Sequence, residues 1–496
     1  MVRAAVGAEA QPTGTQPGRR RGTLTHMAET VIELDLSSPW EPPEVPAPPR
    51  RRLRTRLVAV CAVLAAALGS LGAAGPGTRL TPLYRIGDQV RSVTVFGDML
   101  FIDRFQQSVS DPRIEGHRRS DGARLWDFPT TPQQQPASVS DGALILMRYS
   151  DEDDGFSTRL TVVDSATGRQ LWSRQNASFI GTRDHLVIVE QQLEQRRIVV
   201  STPEEQPDPR VNRAWDGAPR HVLALDERTG VTVWEHEAPP RAALSYTWEG
   251  RYPTGRVTGV YQLDQSGLVT HRDIRTGAVL STVQLAWSGV PAMFGTGVGW
   301  QFAPDAVPHR ALVYPDGERG AIVFDLTDGR ALFRTDASLY EGLYPCAADL
   351  FCAADERGIV TYDGTTGAPR WRLGPYREVI GGAGGRLLVS TLEQATGDAP
   401  PLAVVDARTG KIVTDLAGWR LIREASPQRL LLWRPLDQRT AVLGQLDPAT
   451  GRITVFGRSG DWYGPPSCSA DGDTLACVMV GELTVWRLPP RPDTDG

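Results

Sequence analysis

The stretch Ala224-Leu225-Asp226-Glu227-Arg228-Thr229-Gly230-Val231-Thr232-Val233-Trp234 decides the fold, because its pattern returns along the chain. An apolar strand runs into Asp-x-x-Thr-Gly, and a second strand follows with an indole four residues after the glycine. Asp164 to Gly168 with Trp172 and Asp363 to Gly367 with Trp371 repeat it in full. Asp273 to Gly277, Asp406 to Gly410 and Asp447 to Gly451 keep the turn without the Trp. Asp325 to Gly329 has Asp328 in place of the Thr and Phe333 in place of the Trp, and a first copy keeps Gly122 and Trp126 but opens on Arg118. The phrase has a local cause. An Asp carboxylate at a strand end accepts backbone N–H groups of the turn, Thr does so more weakly, and Gly takes the positive φ that closes a short hairpin.

The eight glycines, from Gly122 to Gly451, stand 38 to 62 residues apart. Upstream of most copies lies a further apolar run, such as Leu144 to Met147, Leu186 to Glu190 or Leu387 to Ser390, so each unit supplies about four strands, the content of a propeller blade. The expected fold is all-β: an eight-bladed β-propeller of four-stranded blades over residues 80–490, with seven blades as the alternative. Thr474 to Val480 and Glu482 to Leu488 read as two further strands, expected to meet the N-terminal strands near Val90 to Asp103 and close the ring, because closure leaves no bare sheet edge. The indoles of Trp126, Trp172, Trp234 and Trp371, with Phe333, are expected to pack between neighbouring blades.

Leu57 to Gly75 runs 19 residues without a charge, about 28 Å as a helix, close to the hydrocarbon thickness of a bilayer. Arg50, Arg51, Arg52, Arg54 and Arg56 precede it, while the nearest basic residues after it are Arg79 and Arg85. That asymmetry predicts one transmembrane helix over 57–75, an N-terminus in the cytoplasm and the propeller outside. The more than fifty residues before it favour an uncleaved anchor over a signal peptide with a site near Ala73-Ala74-Gly75. Residues 1–56, rich in Pro and Arg, read as a disordered cytoplasmic tail. Within it Glu29 to Trp40 mixes acidic and bulky apolar residues.

A net charge of −5 with no basic face argues against nucleic-acid binding. Lys411 is the sole lysine among 53 basic residues, a usage of GC-rich genomes that fits an actinobacterial source. Four of the five cysteines fall in the exported part. Cys346 with Cys352 and Cys468 with Cys477 hold similar places in their repeats, so each pair either bridges two adjacent strands in an oxidising space or remains as buried thiols.

The quoted stretch and its copies resemble the repeat of the pyrroloquinoline-quinone-like β-propeller superfamily, over roughly residues 85–490. The resemblance implies the propeller fold and leaves the activity open, since some relatives are quinoprotein dehydrogenases and others are cofactor-free protein-binding scaffolds similar to the outer-membrane assembly scaffold of Gram-negative bacteria. The dehydrogenases carry a disulfide between adjacent cysteines, a calcium site with Asn and acidic ligands, and a catalytic Asp. This chain has no adjacent cysteines, and its only asparagines are Asn176 and Asn212. The expectation is therefore a non-catalytic, monomeric scaffold or ligand-sensing module whose partners are envelope or membrane proteins, with no cofactor, no metal and no catalytic residue; the alternative is a quinone-dependent dehydrogenase. Asp151-Glu152-Asp153-Asp154-Gly155 offers oxygens to calcium, but its acids are consecutive and read as a solvated loop. Gln191 to Arg220 and Ala238 to Arg256 read as long loops.

Overall fold

The hairpins written by the repeated phrase are the outer halves of four-stranded antiparallel sheets. A computed structural model describes residues 80–489 apart from 88, 105–111, 132, 141, 153–154, 193–218, 250–255, 297–308, 338–341, 348, 392–401, 423–429, 461 and 463–466. The predicted membrane helix and cytoplasmic tail lie outside the described residues. Among those residues 36 strands form seven four-stranded sheets and one eight-stranded sheet. The latter is two four-stranded units joined by a parallel pairing of Thr182 with Arg256. In chain order sheet I spans 90–129, II 134–175, III 177–238, IV 243–284, V 291–335, VI 344–373, VII 378–415 and VIII 420–460. Sheet IX takes three strands from 467–487, and its fourth, Pro82–Ile86, comes from the other end of the chain.

The burial of each strand follows from its place in the order. Second strands are sandwiched by sheets on both faces and are apolar almost throughout, like Leu100, Phe101 and Ile102 in sheet I. Successive side chains point to opposite faces. Leu100 and Ile102 therefore pack with Leu483 and Val485 of sheet IX, while Phe101 packs with Leu144 and Leu146 of sheet II. Consecutive sheets share a core in this way all round, and the series returns from IX to I, as in a β-propeller.

Three expectations need correction. Nine four-stranded units stand among the described residues where eight blades, or alternatively seven, were expected from eight phrases. The phrase joins a third strand to a fourth, and in sheet IX those strands, Glu482–Arg487 and Pro82–Ile86, belong to opposite ends of the chain, so no turn exists to carry it. The N-terminal strand that completes the closing sheet is likewise Pro82–Ile86, whereas Val90–Phe96 opens sheet I and packs against it. Within the stretch expected as a loop at Ala238 to Arg256, Ala243–Glu249 is the first strand of sheet IV.

Candidate functional site

Each phrase builds a turn and, through it, a joint between sheets. In sheet II the Asp164 carboxylate accepts the Thr167 amide and hydroxyl, both at 2.8 Å, and the Gly168 amide donates to the Asp164 carbonyl at 2.9 Å. Asp226 with Thr229, Asp273 with Thr276, Asp363 with Thr366 and Asp406 with Thr409 repeat the arrangement. In the Asp325 copy Thr327 does this one residue earlier, and in the first copy Asp121 accepts the Ala123 amide at 3.0 Å. All eight phrase glycines have φ between 67° and 75°, the left-handed region that a side chain resists. The Thr229 hydrogen bonds hold the Asp226 carboxyl below the usual carboxylate range.

The glycine is bare for a second reason. A Cβ on Gly168 would lie 2.7 Å from the Trp126 ring of sheet I, and one on Gly230, Gly277 or Gly410 would meet Trp172, Trp234 or Trp371 at 2.8, 2.9 and 2.6 Å. Phe333 lies in the same way on Gly367. Each indole also donates its N–H to a carbonyl of the following phrase: Trp126 to Ser165 at 3.1 Å, Trp172 to Glu227 at 2.8 Å, Trp234 to Ile274 at 2.9 Å and Trp371 to Ala407 at 2.8 Å. In each of these sheets the residue before the aromatic drops out of register, which turns the ring toward the next sheet.

Tyr84 holds the corresponding place in sheet IX, and sequence reasoning missed it. Its ring covers Gly122 of sheet I, with a Cβ there falling at 2.7 Å, and its hydroxyl donates to the Arg119 carbonyl at 2.5 Å. Burial pushes its hydroxyl up to about 12. The two cysteine pairs are disulfides. Cys346–Cys352 and Cys468–Cys477 each tie a first strand to a second, in sheets VI and IX, with Cα atoms 5.7 and 4.1 Å apart.

Sheet I buries two carboxylates on its two faces, Glu115 on the face opposite Ile114 and Asp103 on the face of Ile114, its partner in register. Glu115, 3% exposed, forms an ion pair with Arg104, whose Nε lies 2.7 Å away, faces His117 Nε2 at 2.8 Å, and has Arg124 at 3.4 Å. Burial alone would raise its carboxyl, but the His117 and Arg104 hydrogen bonds outweigh burial and hold it at about 2. Asp103, equally buried, has Arg91 3.7 Å away, and there burial prevails and lifts the carboxyl to about 6. Between sheets III and IV, His236 Nε2 lies 2.5 Å from Gln262 Oε1, and burial holds the imidazole below its usual range. Asp151 and Glu152 end one strand of sheet II and Gly155 opens the next, with residues 153–154 outside the described set. No group of three or more His, Cys, Asp or Glu that could hold a metal ion occurs among the described residues.

No curated protein matches the chain. Similar solved structures include BamB from Moraxella catarrhalis, at 16% identity over 82% of this chain and 100% of that one, with a TM-score of 0.35. Sqt1 of Saccharomyces cerevisiae matches at 10% identity over 83% of this chain and 100% of that one, TM-score 0.38. The quinohemoprotein alcohol dehydrogenase of Comamonas testosteroni matches at 11% identity over 84% of this chain and 78% of that one, TM-score 0.37. In sequence, residues 110–290, which hold four of the eight phrases, match a family model described as outer membrane protein assembly factor BamB.

Proposed function

We propose that the chain is a membrane-anchored extracytoplasmic propeller that binds envelope proteins, as a scaffold or as the ligand-sensing part of a surface complex, and that it works without catalysis. The match of residues 110–290 to the BamB family model carries this reading. The phrase acids support it, since those of Asp164, Asp226, Asp273, Asp363 and Asp406 are committed to their own turns. The apolar 57–75 segment with arginines on its N-terminal side is the anchor in this proposal, and the ring acts as a monomer that binds no nucleic acid. Two disulfides accord with an oxidising compartment.

Crosslinking the full chain in intact cells, followed by identification of what is captured, tests the proposal. Reproducible capture of the same envelope proteins is the expected result, and defined turnover of a small substrate by the purified ring would overturn it. Pyrroloquinoline quinone with Ca²⁺ is expected to leave the melting temperature unchanged, because a ligand of the native state must raise it by mass action. A quinone-dependent rise would make the chain a quinoprotein. Protease added to cells without a wall barrier should digest the ring and spare the tail.

A further inference from the structure

An outer strand exposes one row of backbone N–H and C=O groups, an invitation to further pairing that proteins usually blunt with charges or Pro. The outer strands of eight sheets follow that rule: each carries an Arg, Asp or Glu, as with Arg124 and Asp127 in sheet I or Arg370 and Arg372 in sheet VI. The outer strand of sheet IV, Val279–Gln284, breaks it. Its sequence Val-Leu-Ser-Thr-Val-Gln has neither charge nor Pro, and every residue but Val283 is exposed. Ser281 stands where the phrase would place its Trp, so this strand has no indole to lend to the next sheet. Its register against the inner strand slips between His271 and Arg272, which leaves Leu280 bulged and 57% exposed, while Ser281 to Gln284 pair regularly.

We propose that Val279–Gln284 is a strand-addition site for an extended, uncharged segment of a partner protein, rich in β-branched residues. This rests on the protein-binding reading and names the surface that does the binding. Two observations select the occupant. The first is electrostatic: an uncharged strand laid here meets no charge on its neighbour, whereas on any other outer strand it would meet at least one. The second is size. Six residues at about 3.3 Å each make a seam of about 20 Å, and a seam that long and only one strand wide buries far less than the roughly 1,200 Å² at which stable interfaces between folded proteins begin. The edge therefore suits a strand or tail better than a second copy of the ring. The added strand would set apolar side chains beside Val283, which packs against the core shared by sheets IV and V, and hydroxyl side chains beside Thr282.

The test uses a capped, fluorescent peptide of alternating valine and threonine, and the same peptide with a central proline. Anisotropy should rise with the wild-type chain and with Ser173→Lys, a control charge on the outer strand of sheet II. Binding should weaken about tenfold for Thr282→Lys and for the proline peptide, and amide exchange at Ser281 to Gln284 should slow in the complex. Melting temperatures identify any variant that fails to fold. Equal binding to Thr282→Lys, or no binding of either peptide, overturns the proposal. So does concentration-dependent dimerisation that Thr282→Lys abolishes, because the occupant would then be a second copy. If the full chain bearing Thr282→Lys still captures the same envelope proteins in cells, the edge is not their site and the scaffold reading stands without it.

Discussion

Trp234 and Gly277 offer the sharpest test of how the sheets are joined. The indole, 8% exposed, lies on Gly277 and donates its N–H to the Ile274 carbonyl. Truncation in Trp234→Ala should cost about 3–5 kcal/mol, as for other buried aromatics, of which the lost hydrogen bond accounts for about 1. Gly277→Ala meets two penalties. Its φ of 70° costs a side chain roughly 1–2 kcal/mol, and its Cβ would press on Trp234 Cδ2 at 2.9 Å. The second penalty vanishes once the indole is gone, so the double variant should be more stable than the sum of the singles predicts, by about 1 kcal/mol or more. Urea unfolding of the three variants, followed by circular dichroism, measures this coupling. Additivity within about 0.5 kcal/mol would show that indole and glycine do not press on one another, and the account of the bare glycines would fail.

The other joints give parallel expectations. Tyr84→Phe should cost about 1 kcal/mol by removing the donor to the Arg119 carbonyl, and Tyr84→Ala clearly more; if the two proved equal, the ring of Tyr84 would add nothing to closure. Peptide mapping without reductant should recover Cys346 linked to Cys352 and Cys468 to Cys477. Loops this short stabilise by about 2–3 kcal/mol each in the chain-entropy picture, and four freely alkylated thiols would refute the pairing. Sheet I should respond to acid in two opposing ways. Glu115, held at about 2 against 4.5 when free, contributes stability that is complete above pH 4.5 and is lost as pH falls toward 2. Asp103, raised from 3.8 to about 6, makes the fold gain stability as pH falls from 6 to 3.8, about 3 kcal/mol in all. Asp103→Asn should abolish that gain, and a melting-temperature profile unchanged by the substitution would contradict the burial argument.

What was legible in the sequence was local. Asp, Thr and Gly within five residues satisfy one another, and a Trp at fixed spacing follows the same short geometry, so the hairpins and the aromatic residues could be named from the chain alone. Ala243–Glu249 was missed although Leu244, Tyr246 and Trp248 alternate with Ser245 and Thr247, because hydroxyls at alternate positions read as loop, whereas here Thr247 is buried and Ser245 bonds to Thr296 of sheet V. Glu115 and His117 were passed over for a related reason. Polar residues at alternate positions of a strand normally mark a solvated face, and only the approach of Arg104 and Arg124 makes that face a buried one. The cysteine positions suggested pairing but could not exclude free thiols, since closeness of two strands is a property of the sheet.

Tyr84 shows where local reading must stop. Its partner carbonyl is 35 residues away, and the sheet that carries Tyr84 draws its other three strands from 467–487. A repeat written along a chain can join each sheet to the next as far as the last copy, but the final joint has to be made by residues with no copy of the phrase between them. In sheet IX the third and fourth strands are therefore held without a turn between them, by pairing of Tyr84 with Val485 and Ile86 with Leu483, by the core they share and by Arg85 beside Glu482. An aromatic on the added strand then does for Gly122 what Trp126 does for Gly168. A ring of this kind must hold one sheet more than it has phrases. Its weakest joint is expected at that sheet, because unfolding the strand Pro82–Ile86 uncovers both the edge of sheet IX and the bare glycine of sheet I while every within-chain hairpin stays intact.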